Sequence, residues 1–342
     1  MKKAVVFLSV TLILTGPALA GVVKKGKSEI AFRGFGKFGL TSSDKLTADK
    51  RWTDSLSDFK GQGIAGSLAG KTILRSGNTG EIIDLPASSI YRLDNKKKEY
   101  TVSPIKPLSA ETAGEAREKP QEAEEKPAES KVKITRNEFK VEDTGEESVI
   151  NNFPVRKYLV HWILEWEDTE TGEKGASNLE SLVWTTPMND TLRAAQEEEF
   201  KFSKAYLEKL GVGSGEMQQD VLGTKWLGLL DSFSPGSRKP ERDVSKFASE
   251  MEKIKGYPIL IDGKYDATGQ KPGGASAEQS QDESSKDVRG RIGGFLKKSL
   301  KKPKEPEAQG PALTYRMEVL EVSTADLGAA DFQVPPTYKK KG

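Results

Sequence analysis

The amino-acid sequence predicts an α+β protein built on an antiparallel sheet with a helical block laid over one face, and three observations carry that prediction. At 81–102, two β-rich runs, 89–93 and 99–102, flank the polar turn Asp94-Asn95-Lys96-Lys97-Lys98, the pattern of a hairpin; 81–85 adds a third short strand ahead of it. At 154–167, Tyr158, Val160, Trp162, Leu164 and Trp166 recur at every second residue, so a strand here projects all five to one side. Between 188 and 255 the pattern becomes helical, with strands predicted before and after it. Strands that follow one another as a meander do not make a parallel βαβ unit.

Taken in order, the chain divides at its composition shifts. Residues 1–20 combine a basic start, Met1-Lys2-Lys3, an apolar run from 4 to 14 and the small-residue site Ala18-Leu19-Ala20. That order is the pattern of a secretory leader cut near Ala20. Residues 21–103 form the first part of the sheet: a strand in which Ile30 and Phe32 alternate with Ala31 and Arg33, a glycine-rich run, and the opening meander. Within it, 41–60 carries Lys45, Asp49, Lys50, Arg51 and Asp54 around Trp52 and reads as loop plus edge strand, and 61–70 as a glycine-rich connector. Residues 104–131 set Pro107, Pro120 and Pro127 among glutamates, with too little apolar surface to offset the entropy of ordering, so a disordered linker is expected.

Central strands occupy 132–187, with a turn at Asp168-Thr169-Glu170-Thr171-Gly172 and a returning strand marked by Leu182 and Trp184. The helical block, 188–255, opens on Asn189 or Asp190 as N-cap and its first helix stops at Gly211; two more helices are expected near 216–230 and 243–255. Closing strands lie in 256–342, at 257–261 and 313–322, separated by a polar insertion over 269–311. A basic tail ends the sequence.

Composition narrows the functional classes. Lys plus Arg number 53 against 51 Asp plus Glu, a net charge of +2, and a cut that removes Lys2 and Lys3 brings it to about zero. Global charge therefore gives no case for nucleic acid. With no cysteine there is no disulfide, no thiol nucleophile, no thiolate metal site and no lipid-anchored N-terminal cysteine. His161 is the only histidine, which rules out a multi-histidine metal site. No run outside the leader reaches the ~18 apolar residues needed to cross a bilayer as a helix.

Two phosphate-binding patterns occur by letter. Residues 65–72, Ala-Gly-Ser-Leu-Ala-Gly-Lys-Thr, fit a permissive P-loop, but neither the preceding strand nor the following helix is present in the sequence. Gly34, Gly36 and Gly39 spell a dinucleotide fingerprint in a polar context that reads instead as a bulged strand. Ser57-Asp58-Phe59-Lys60 matches S-x-x-K without its companion motifs, and His161 lacks a nucleophile elbow to serve. No catalytic constellation remains, so a non-enzymatic protein without cofactor or metal is expected.

Several short pieces together resemble a family of exported bacterial domains of unknown function related to the lipoprotein localisation factors, the LolA and LolB fold. They are Lys50-Arg51, Ile82-Ile83-Asp84-Leu85, Tyr91-Arg92-Leu93-Asp94 with 96–101, Phe153-Pro154-Val155-Arg156-Lys157-Tyr158, Trp184-Thr185-Thr186-Pro187, Gly256-Tyr257-Pro258 and the ending 332–338. The resemblance implies a strongly curved antiparallel sheet, an unclosed half-barrel (LolA-like) whose apolar concave face is covered by the helical block. The linker and the insertion are additions to a minimal domain of that fold.

Two site hypotheses follow. Tyr158, Trp162 and Trp166, joined by Trp184 and Tyr315 if the strands neighbour, are either an ordinary packed core or the lining of a cavity for a lipid or the acylated end of a protein. Arg289, Arg291, Phe295, Lys297 and Lys298 combine cations with apolar residues, as a solvated basic loop or as a peripheral contact with membrane or partner protein. A periplasmic or secreted location is expected from the leader.

Overall fold

The computed structural model describes residues 19–63, 66, 76–107, 132–211, 244–268 and 310–341. They form a single curved, unclosed sheet of twelve strands in the order β12-β6-β5-β4-β3-β2-β1-β11-β10-β9-β8-β7. The strands are β1 (Leu19–Phe32), β2 (Gly36–Leu46), β3 (Lys50–Gly61), β4 (Gly77–Asp84), β5 (Ser89–Asp94), β6 (Glu99–Pro104), β7 (Val132–Ile150), β8 (Phe153–Asp168), β9 (Lys174–Thr186), β10 (Tyr257–Thr268), β11 (Leu313–Leu327) and β12 (Lys339–Lys340). All neighbours are antiparallel except β12, which runs parallel to β6. The body of the predicted linker, the helix at 216–230, and the insertion with Arg289, Arg291, Phe295, Lys297 and Lys298 lie outside the described residues.

Local turns explain most of the meander. Asp94 Oδ1 accepts a hydrogen bond from the Lys97 amide at 2.9 Å, and Lys98 takes a left-handed φ of 55°, which closes the β5–β6 hairpin as its polar turn predicts. Asn151 and Asn152 are both left-handed, φ 51° and 67°, the pairing that joins β7 to β8 in a two-residue turn. Gly34 and Gly36 have positive φ in the β1–β2 turn, so the glycine fingerprint is a hairpin and no helix follows it.

The segment 41–60 is corrected by the structure. It forms the end of β2 and most of β3, and β3 is an interior strand between β2 and β4 rather than an edge. Its charges are tolerated there because partners lie across the strands: Arg51 reaches Asp44 at 2.7 Å and Lys50 reaches Asp84 at 2.8 Å. The tail is likewise not loose, since Lys339 and Lys340 pair with Glu99 and Tyr100.

One sheet face carries two helices. Helix α1 (Asp190–Lys209) is capped by Asn189, whose side chain accepts from the Leu192 amide at 2.9 Å, and ends before Gly211, which has φ +72°. It lays Phe202, Ala205, Tyr206 and Leu210 on Leu46, Ile83, Leu85, Ile90 and Ile105. Helix α2 (Val244–Met251), with Ile254 after it, covers the other half through Phe247 and Met251. Its Glu250 accepts from the Val141 amide of edge strand β7 at 2.7 Å, which ties a backbone donor of that strand.

The opposite face is crossed by the C-terminal segment. After β11 and a 3-10 turn at Ala329–Phe332, the chain passes beneath β1 to β6 and packs Phe332, Val334 and Tyr338 against Ile82, Leu93, Trp52, Tyr91 and Tyr100. Lys45 fixes Asp331 at 2.9 Å and Tyr338 Oη donates to Asn95 at 3.0 Å. Burying the Phe332 side chain contributes about 2 kcal/mol. Strands β1 to β6 and β7 to β11 are each built from near neighbours in sequence, and the two groups join along one seam, β1 against β11, from Leu19 opposite Leu327 to Phe32 opposite Leu313.

Candidate functional site

The helix-bearing face is set by the alternation of β8. Tyr158, Val160, Trp162, Leu164 and Trp166 are all buried on it. The first four share one cluster with Tyr315 of β11, Leu179, Val183, Tyr265, Leu313 and the α2 residues Phe247 and Met251. Two glycines make room for the rings. A Cβ on Gly175 would fall 2.1 Å from the Trp166 indole, and one on Gly263 would fall 2.4 Å from the Tyr315 ring. Each ring therefore lies across a neighbouring strand where no side chain stands.

Polar atoms in this cluster have partners. Trp162 Nε1 donates to Asn137 Oδ1 at 3.1 Å, Tyr265 and Ser177 share a hydrogen bond of 3.0 Å, and Tyr315 bonds Ser181. Burial pushes the Tyr315 and Tyr265 phenols well up from their ordinary value, with the serine bonds acting weakly the other way. Both stay protonated at neutral pH. A neutral, hydrogen-bonded aromatic wall can pack or hold apolar matter.

Trp184 does not belong to this face. Tyr158 stands opposite Val183, whereas Trp184 stands opposite Lys157 and Leu260, so alternation along β9 turns its indole to the other side of the sheet. Lys157 Nζ lies 5.3 Å from its ring centre, and the indole packs against a separate cluster formed by Val155, Leu192 of α1, Tyr257 and Ile259. His161 is half-buried on that side too, across from Lys140 and Glu180. Of the five residues expected to line one site, Tyr158, Trp162 and Tyr315 share a cluster, and Trp166 lies on the same face outside it.

A less covered stretch of the helix-bearing face lies beside the aromatic wall. Met317 is 43 % exposed there, opposite Ile261 on one side and Ser28 on the other. Across β1 to β3 the same face continues as Ile30, Phe38 and Phe59 in one row and Ser28, Leu40 and Ser57 in the next, all half-buried. A further row, Gly26, Ser42 and Ser55, carries only small groups. The surface thus grades from aromatic and aliphatic to hydroxyl-bearing. Isolated apolar residues among serines give little periodic signal, which is why sequence reasoning passed over it.

Charges appear at the α1 end of this face. Lys24 bonds Glu199 of α1 at 2.9 Å and lies 5.6 Å from the Tyr257 ring centre. Burial alone would push the Lys24 ammonium down, but the Glu199 carboxylate and the Tyr257 phenol hold it above its ordinary value. Asp44 Oδ1 beside it accepts from Arg51 and from Thr53 at 2.6 Å. Among the described residues no cluster of three or more His, Asp or Glu side chains is arranged to hold a metal, and no helix is long and apolar enough to cross a membrane. No family model matches the chain, and no curated protein is detectably similar to it.

Proposed function

We propose that this chain is a non-enzymatic envelope protein that binds a hydrophobic ligand, a lipid or the acylated end of another protein, on the concave side of its sheet. In this reading the helix-bearing face is the concave one, and the sheet is a LolA-like half-barrel with the helices as its cover. The observation that carries the proposal is the exposed Met317 at the centre of that face, flanked by half-buried Ile30, Leu40, Phe38 and Phe59. Apolar surface left open beside a finished core marks a binding surface. Tyr158, Trp162, Trp166 and Tyr315 then form the rigid wall behind the ligand, and Met317 with Leu40 touches it. Export by the predicted leader places the protein in the periplasm or outside the cell.

Native mass spectrometry of gently purified protein is expected to show co-purifying lipid, and a fluorescent fatty acid should bind. Met317→Glu and Leu40→Glu should each weaken that probe at least tenfold while leaving the fold intact. A protein that ignores the probe and carries no lipid refutes the proposal. The near-complete burial of Tyr158 and Trp162 in the cluster that α2 joins, and of Trp166 on the same face, favours a second reading, an envelope interaction module whose core is filled. In that case the Met317 surface takes a protein partner and the probe stays free.

A further inference from the structure

The structure brings together two lysine runs that are far apart in sequence. Lys96, Lys97 and Lys98 lie in the β5–β6 turn, and Lys339 and Lys340 form β12, with Lys341 directly after it, on the adjoining edge of β6. The juxtaposition is fixed by backbone bonds: the Lys339 amide donates to the Lys98 carbonyl at 2.9 Å and the Lys341 amide to the Tyr100 carbonyl at 2.8 Å. With neighbouring strands about 5 Å apart, the two runs lie side by side at one end of the sheet. All six side chains are exposed, and among the described residues only Lys97 has a carboxylate within ion-pair distance, Asp94 at 3.3 Å. Asp94 and Glu99 are the acidic residues on the paired strand positions here.

We infer that this end of the sheet docks on an anionic bilayer surface. Six lysines fall within the range of basic clusters that hold proteins to acidic lipid, at about 1 kcal/mol for each lysine near the surface. None is an arginine, so the patch offers diffuse point charges rather than the planar forks that grip single phosphates or nucleic acid. Val102 of β6 is 37 % exposed, and Tyr100 on the same strand is half-buried, giving the patch an apolar and an aromatic element of the kind found at the membrane interface. The inference is independent of the ligand surface around Met317, which lies on a different part of the sheet.

The full chain is tested by flotation with vesicles of phosphatidylcholine alone and of phosphatidylcholine mixed with phosphatidylglycerol. Binding is expected only to the mixed vesicles and should be lost in high salt. Each lysine changed to glutamine among Lys96, Lys97, Lys339 and Lys340 should lower partitioning roughly fivefold, whichever run it comes from. Backbone bonds hold both runs, so far-UV circular dichroism and urea midpoints should be unchanged in these variants. No flotation with mixed vesicles overturns the inference. So does binding that survives all four changes, or binding to a soluble polyanion such as heparin with none to vesicles.

Discussion

Changing Gly263 to alanine should displace the Tyr315 ring that lies across β10. The new Cβ would fall 2.4 Å from both Cζ and Oη of Tyr315 and 2.6 Å from Oγ of Ser181, far inside the 3.4–4 Å of ordinary contact. Tyr315 is 4 % exposed and packed in the aromatic cluster, so moving its ring disturbs that packing. Forcing one extra carbon into such a core costs about 2 kcal/mol, and breaking the Tyr315–Ser181 bond costs about 1 more. Relief of the backbone entropy that glycine loses in a strand returns ~0.5–1 kcal/mol. The net expectation is a destabilisation of about 2 kcal/mol. With a urea slope of about 2 kcal/mol/M, the unfolding midpoint drops by roughly 1 M. Tryptophan fluorescence is a direct readout, because Trp162 sits in the same cluster. Tyr315→Leu empties the crowded volume, so Gly263→Ala in that background should cost at least ~1 kcal/mol less than it does alone. A neutral or stabilising Gly263→Ala, or strictly additive costs in the double variant, would refute the placement of the ring.

Two further outcomes follow from the helix cap and the C-terminal segment. Asn189→Ala removes the acceptor for the Leu192 amide and should cost about 1 kcal/mol in thermal or urea unfolding, with Asn189→Ser recovering most of it. Lys45 and the Gly328 amide hold the Asp331 carboxyl below its ordinary value, against a smaller opposite push from burial. Its contribution is therefore complete above the unfolded carboxylate value near pH 4 and is lost as pH falls through the lower native value. Hydrogen-exchange protection in 328–341, measured against the intrinsic rate at each pH, should fall on acidification below that point, and Asp331→Asn should already lower it at pH 6. An Asp331→Asn chain that protects this segment as well as the parent would exclude the Lys45 contact as its anchor.

What could be read from the sequence was what is local. The β5–β6 hairpin and the five-residue alternation of β8 depend on neighbours within a strand, and both stand in the structure as the sequence predicts. The side taken by Trp184 was not legible, since it follows from the register of β9 on β8, and a shift of one residue reverses every side chain. Residues 41–60 looked like loop because hydropathy cannot see that Asp44, Arg51, Lys50 and Asp84 neutralise each other across strands. The segment beneath the sheet was hidden for a different reason: Tyr338 meets Asn95 across 243 residues, and nothing in either neighbourhood specifies the other. The open patch around Met317 was missed because its hydroxyl-bearing rows carry no periodic apolar pattern.

The seam between β1 and β11 bears on how the molecule is made. Strand β1 emerges from the ribosome early and must wait for a partner almost three hundred residues downstream, so one edge of the first six strands stays bare through most of synthesis. An interrupted chain that stops short of residue 313 leaves β1 and β10 both unpaired on that flank, two long templates for sticking to other chains. Keeping the nascent polypeptide unfolded until its last strands are present avoids that hazard.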